Sequence, residues 1–177
     1  MRTVNEIIDF IKAKNTTPDG FLYNDDRNHV ELLISQLRYD EDVVYAMIVD
    51  SIDYTMHKLL NQSNGEYSSV YRLTSCSLAD NYYCRSSIVI TNKRVILARR
   101  EEGLFKYNDK ILAMEIDEGT IVTSNLGFMS GSVIINNKSN EQFSIQVSKK
   151  NTDTFFEMIS NAIQVVLTKN NNHIRHL

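Results

Sequence analysis

The sequence feature that most constrains the fold is a series of short apolar runs separated by polar turns between residues 88 and 147. Residues 88–90 and 95–97 flank a polar turn, as two strands flank a hairpin. Further short runs follow at residues 104–107, 111–116, 120–126, 132–135 and 142–147. Short β-branched runs bounded by turns are typical of antiparallel strands. This part of the chain therefore predicts a β-meander.

The N-terminus predicts two amphipathic helices joined by a loop. Thr3 and Glu6 have the spacing of a capping box, and apolar residues follow at helical spacing. Turn formers at residues 15–20 include the only proline, and a second helix is predicted over residues 27–38. We expect this arm, residues 1–39 around a turn at Pro18 to Gly20, to cover a sheet with four buried residues, Ile7, Ile11, Leu33 and Leu37.

The rest of the chain predicts a main domain over residues 40–169 and a frayed tail over residues 170–177. Strands are expected from residue 43, and the segment 51–87 is left open between strand and helix. An amphipathic helix closes the domain, with Phe155, Ile159, Ile163 and Val166 on one face. We predict an α+β fold in which this helix caps an antiparallel β-barrel or sandwich.

Composition narrows the class of protein. The chain has 177 residues, of which 42% are hydrophobic and 23% charged, and a formal net charge of −3. This is the composition of a globular domain, and it excludes a disulfide scaffold, a collagen and a disordered chain. The slightly acidic balance argues against nucleic acid as a partner. Because the N-terminus lacks the apolar core of a signal peptide, we expect a cytoplasmic protein.

The hairpin at residues 88–97, the later strands and the closing helix resemble the bacterial pleckstrin-homology-like (PH-like) domains. In that family a T-N/D-x-R turn followed by apolar residues is preceded upstream by an acidic residue and a hydrophobic strand. Thr91 to Arg94 match the turn, and Glu41 with the strand after it matches the upstream part. The resemblance covers residues 40–169 and departs within 51–87, where this chain is longer. It implies a barrel that hosts lipid, peptide or self-association sites.

Four basic residues near one end of the sheet are candidate anion contacts: Lys93, Arg94, Arg99 and Arg100. In one interpretation they bind a lipid headgroup. In the other, which we favour, they are solvated charges that discourage edge pairing. The segment after the first strand lacks the dense basic residues that the strongest phosphoinositide binders of the PH superfamily carry there.

No catalytic, cofactor or metal motif stands out in the sequence. The six glycines form no phosphate-binding loop, and no serine lies in a nucleophile motif. The four histidines have no evident acid, nucleophile or metal partner. We therefore expect no enzyme activity, no cofactor and no metal.

Tyrosines in the segment 51–87 are the predicted partner-binding residues: Tyr67, Tyr71, Tyr82 and Tyr83. Tyrosine is enriched at protein interfaces, although burial against the barrel explains these residues equally well. The sequence predicts a non-enzymatic, cytoplasmic interaction module that binds a protein or itself. The alternatives are a peripheral module that binds anionic lipid and an enzyme with an unrecognised site.

A homo-oligomer is also expected. Residues 133–135 and 142–147 carry almost no charge and no proline, so we expect them to form poorly guarded sheet edges. Self-association would then use such an edge or the tyrosine-rich segment.

Overall fold

A computed structural model describes residues 1–17, 22, 24–50, 53–59, 67–74, 85–102, 107–128, 130–139 and 141–174. These residues form two N-terminal helices, nine strands and a C-terminal helix. The first helices are α1 (Val4–Lys14) and α2 (Asn24–Ile34). The strands are β1 (Val43–Asp50), β2 (Asp53–Leu59), β3 (Tyr67–Thr74), β4 (Arg85–Thr91), β5 (Arg94–Glu102), β6 (Tyr107–Glu115), β7 (Ile121–Leu126), β8 (Ser130–Asn136) and β9 (Glu141–Ser148). A 3₁₀ turn (Lys149–Asn151) leads into α3 (Thr152–Ile174).

The nine strands form two sheets. One has four strands in the order β1-β4-β5-β6, and the other has five in the order β3-β2-β9-β8-β7. The α+β class is thus confirmed, but the described strands do not close into the single barrel that was one predicted alternative. The chain also divides into two compact units: unit 1 is Met1–Asp50 with Tyr83–Ala113, and unit 2 is Ser51–Tyr82 with Met114–Leu177. The predicted boundary at residue 40 differs from this division, since the N-terminal arm lies in the same unit as β1, β4 and β5.

Unit 1 is built by packing the arm onto one face of the four-stranded sheet. The predicted capping box is present, because Thr3 Oγ1 accepts from the Glu6 amide at 3.2 Å and Glu6 Oε2 accepts from the Thr3 amide at 3.0 Å. The core joins both helices to three strands through Ile7, Ile11, Val30, Leu32, Leu33, Val43, Ala46, Ile48, Val89 and Ala98. The burial predicted for Ile7, Ile11 and Leu33 is confirmed, and Leu37 is half-buried against the same core.

The second helix begins and ends earlier than predicted. The helix ends at Ile34, and the Ser35 amide still bonds four residues back, to the Glu31 carbonyl at 3.2 Å. The next two amides bond three residues back, from Gln36 to the Leu33 carbonyl at 2.9 Å and from Leu37 to the Ile34 carbonyl at 3.1 Å. This tightened end frees the Gln36 carbonyl for another donor, described below. The predicted turn at residues 18–20 lies outside the described residues.

Unit 2 is a five-stranded antiparallel sheet with α3 packed against β7 and β8. The clean alternation of β8 and β9 places five residues on its buried face: Val133, Ile135, Phe143, Ile145 and Val147. The helix contributes the four residues predicted from its periodicity, all of them buried. A Cβ on Gly131 would lie 1.9 Å from Thr152 Oγ1, so only glycine permits this approach of β8 to the start of α3.

Three local predictions are corrected. The strands β8 and β9 are interior rather than edge strands, because β8 pairs with β7 and β9, and β9 pairs with β2 and β8. Residues 170–174 continue α3 rather than fraying. The strand predicted from residue 111 begins earlier, since β6 spans Tyr107–Glu115; the run predicted at residues 104–107 lies outside the described part except for Tyr107. The segment 51–87, for which the sequence did not decide between strand and helix, contains strands β2 and β3, which pair with each other.

Candidate interaction surface

The hairpin formed by β4 and β5 is held to the linker between α2 and β1 by backbone and side-chain hydrogen bonds. Thr91 Oγ1 accepts from the amides of Lys93 at 3.0 Å and Arg94 at 2.7 Å, which fixes the turn. The Asn92 amide donates to the Asp42 carbonyl at 3.0 Å, and the Asp42 amide donates to Asn92 Oδ1 at 2.9 Å. The threonine and asparagine of the motif therefore have a structural explanation.

Arg94 forms a bidentate ion pair with Glu41 at the centre of this contact between the hairpin and the linker. Its Nε donates to Glu41 Oε1 at 2.6 Å, and its Nη2 donates to Oε2 at 2.6 Å and to the Gln36 carbonyl at 3.0 Å. The Arg38 amide donates to Glu41 Oε2 at 2.8 Å. Burial raises the pKa of Glu41, but these hydrogen bonds outweigh it, and the pKa is lowered from its ordinary value.

The other predicted anion contacts are also engaged within unit 1. Lys93 pairs with Asp40, and this hydrogen bond lowers the pKa of Asp40. Arg100 holds both oxygens of Asp109, with Nε–Oδ1 at 2.8 Å and Nη2–Oδ2 at 3.1 Å, and lowers the pKa of that carboxyl. Arg99 is buried, with 3% of its surface exposed.

These contacts favour a structural role for the predicted basic cluster. Three of its four cations face carboxylates of the same unit, and the fourth is buried. A headgroup would have to displace Asp40, Glu41 or Asp109 before these charges could serve it. The apolar face of α3, which a membrane-surface module would offer to lipid, is buried in unit 2. The anion contact stays a prediction that this geometry does not favour.

The predicted tyrosine surface is described only in part. Tyr67 and Tyr71 lie in β3, which is an edge strand of the five-stranded sheet, and Tyr82 and Tyr83 lie outside the described residues. Tyr45, in β1 of unit 1, is half-buried and meets the ring of Phe10 edge-on, with centroids 5.4 Å apart. The four tyrosines therefore stay a predicted surface.

Among the described residues of unit 2, the most exposed large apolar side chains lie at or beside β7, a surface that was not predicted from the sequence. Among the described strands, β7 is the other edge of the five-stranded sheet and pairs with β8 alone. Ile121 is 57% exposed and Leu126 is 52% exposed, and Phe128 in the turn after β7 is 96% exposed. Single exposed apolar residues are ordinary, but three at one unpaired edge mark a candidate binding surface.

Charge is absent from this edge. No charged residue occurs from residue 119 to residue 137, the stretch that forms the β7–β8 hairpin, and that stretch contains no proline. Proteins commonly guard an exposed edge with lysine, proline or a bulge. The ladder from Ile121 opposite Asn136 to Leu126 opposite Gly131 is regular, so no shift in register interrupts β7. This uncharged stretch is a sequence signal for the surface, although it does not show by itself that β7 lies at the edge.

Other kinds of site find no support in the described part of the chain. Within those ranges no group of three or more His, Cys, Asp or Glu side chains could hold a metal ion. Of the described helices, none is both long enough and apolar enough to cross a membrane. The sequence matches no protein-family model and no curated protein.

Proposed function

We propose that this chain is a non-enzymatic protein-interaction module that binds a polypeptide strand at the β7 edge. The observation that supports the proposal is the uncharged, unpaired and partly apolar edge formed by β7. A strand that adds to such an edge gains a row of main-chain hydrogen bonds, and alternate side chains then give specificity. Membership of the PH-like family and a cytoplasmic location, both expected from the sequence, stay predictions.

Two features of the edge suit it to this role. Amides and carbonyls of β7 that do not face β8 are available to a new strand, since β7 has a ladder on one side only. Leu126 projects to the same side of the sheet as the buried Gly131 opposite it, and an added strand would cover its exposed half. Burial of that apolar area would add to the main-chain hydrogen bonds.

The proposal predicts that a photoreactive benzophenone side chain at position 128 will cross-link to a bound protein. Phe128 is 96% exposed beside the edge, and Tyr39 in unit 1 is 95% exposed and serves as the matched control site. We expect covalent adducts from position 128 and none from position 39 when the full chain is irradiated in lysate of its source organism. The adducts are measured by mass on denaturing gels.

A charged substitution in β7 distinguishes specific binding at this edge from non-specific cross-linking. Thr123→Lys puts a lysine in the middle of β7, whereas Ser139→Lys puts the same charge in the exposed β8–β9 turn. We expect the first substitution to abolish the adducts from position 128 and the second to preserve them. Adducts that survive Thr123→Lys, or that form equally at position 39, would contradict the proposal.

A further inference from the structure

We infer that the strand bound at the β7 edge is β7 of a second copy of this chain, in a two-fold antiparallel pair centred on Ser124. This inference rests on the proposed function, because it names the partner of the same edge. It commits the edge to one occupant and one register. Both follow from the order of residues along β7.

Symmetry restricts the registers that two copies of β7 can adopt. A two-fold axis perpendicular to the sheet makes the two strands antiparallel and continues each face of one sheet into the same face of the other. Residues directly opposite each other then project to the same face. Val122, Ser124 and Leu126 share the face of Ile135, Val133 and Gly131, opposite them in β8, so even-numbered residues must oppose even-numbered ones.

The axis through Ser124 matches like with like from Val122 to Leu126. It places Val122 opposite Leu126 of the second copy, Thr123 opposite Asn125, and Ser124 opposite itself. Ile121 then lies opposite Gly127, which has no side chain, so the 57% exposed isoleucine can extend across the junction. An axis through Thr123 would instead set Ile121 opposite Asn125 and Leu126 opposite Thr120, so that each exposed apolar residue would face a polar one. The Ser124 register therefore covers both exposed apolar residues of β7.

Charge supports a second copy as the occupant. The β7–β8 hairpin is uncharged from residue 119 to residue 137, so two copies bring no like charges together when they pair. The polar centre, Thr123 to Asn125, is flanked by apolar residues on both sides, and this pattern is complementary to itself when reversed. The result would be a continuous sheet of ten strands, five from each copy, with both α3 helices on the same side.

The test is disulfide trapping of this register in purified full-length protein. Ser124→Cys is made in a background in which Cys76 and Cys84 are replaced by serine. Opposed Cα atoms in an antiparallel pair are about 4.5–5.5 Å apart, within disulfide range. Ile121→Cys is the control, because its two copies would be offset by six residues, about 20 Å along the strands. We expect mild oxidation at about 10 µM to convert most of the first variant, and little of the second, into a linked dimer.

The outcomes separate this inference from the proposed function. Equal cross-linking of the two variants would overturn the Ser124 register. A monomeric Ser124→Cys variant, with photo-adducts still formed at position 128 by another protein, would overturn the second copy as occupant and leave the edge as a binding site. If neither adduct nor disulfide forms, both fail. Sedimentation equilibrium of the unsubstituted chain at about 10 µM tests the dimer without any substitution that could impair folding. A monomer at that concentration would also overturn the inference.

Discussion

Replacing Arg94 with alanine is expected to lower the free energy of unfolding by about 3–5 kcal/mol, as when one partner of a buried ion pair is removed. The Glu41 side chain is 0% exposed, and that of Arg94 is 11% exposed. Without the guanidinium, Glu41 keeps the Arg38 amide but loses both charged hydrogen bonds, and the Gln36 carbonyl loses its donor. The substitution thus leaves a buried charge without its counter-charge.

Urea denaturation of the full chain measures this effect, with Lys93→Ala as the matched control. Lys93 lies in the same turn, but its pair with Asp40 is exposed, so its removal should change stability little. Glu41→Gln combined with Arg94→Ala should recover part of the loss, because no unpaired buried charge then remains. Equal, small effects of Arg94→Ala and Lys93→Ala would show that the Glu41 pair contributes nothing.

The same pair gives the stability a defined pH dependence. The pKa of Glu41 is lowered from 4.5 in the folded protein, so its contribution is fully present above about pH 4.5. That contribution is lost as the pH falls through the lower folded pKa, because protonation is easier in the unfolded chain. Arg94→Ala removes the largest of the causes that lower this pKa; the Arg38 amide still lowers it, and burial raises it. The variant should therefore lose less stability than the unsubstituted chain between about pH 5 and pH 3.

Leu33→Ala is expected to destabilise unit 1 by about 2–5 kcal/mol, the usual cost of truncating a fully buried leucine. Leu33 is 0% exposed and belongs to the core that joins the N-terminal helices to the sheet. The expected loss combines the transfer of the leucine side chain with the cavity that its removal leaves among rigid neighbours. The arm is thus predicted to be part of the folded unit.

Thermal and urea denaturation measure the loss, and Tyr39→Ala is the control. Tyr39 is 95% exposed in the linker between α2 and β1, so its truncation should leave the midpoint within error. An unchanged midpoint for Leu33→Ala would mean that α2 does not contribute to the cooperative core. Loss of α1 and α2 amide protection in that variant, with β8 and β9 retained, would assign the damage to unit 1.

Local patterns predicted most of the fold. The capping box at Thr3 and Glu6, the turn at Thr91 to Arg94 and the alternation of β9 each depend on residues close in sequence. The edge strands could not be predicted in this way. Whether a strand is interior depends on partners far along the chain, and β9 became interior because β2, from the segment left open, pairs with it. Apolar and polar residues alternate in the same way in a strand paired on one side and in a strand paired on both, so this pattern does not identify an edge.

The ion pairs of the candidate site could not be predicted either, because they also depend on residues far apart in the sequence. The sequence placed Lys93 and Arg94 together in a turn, but their carboxylate partners, Asp40 and Glu41, lie 53 residues upstream. A basic cluster in sequence does not reveal whether its charges are already paired within the fold. The β7 edge was not predicted because residues 133–135 and 142–147 lack charge as β7 does, and an absence of charge does not show which of these strands lies at the edge of the sheet.

Hydrogen–deuterium exchange of the β7 amides, followed as protein concentration rises, tests the binding edge most directly. We expect that amides of Ile121–Leu126 facing away from β8 become slower to exchange as the concentration rises from about 1 µM to about 100 µM. Amides of β8 and β9, already bonded within interior strands, should not change. Fast exchange at β7 that stays the same at every concentration, in a chain that remains monomeric and gives no adduct at position 128, would contradict binding at this edge.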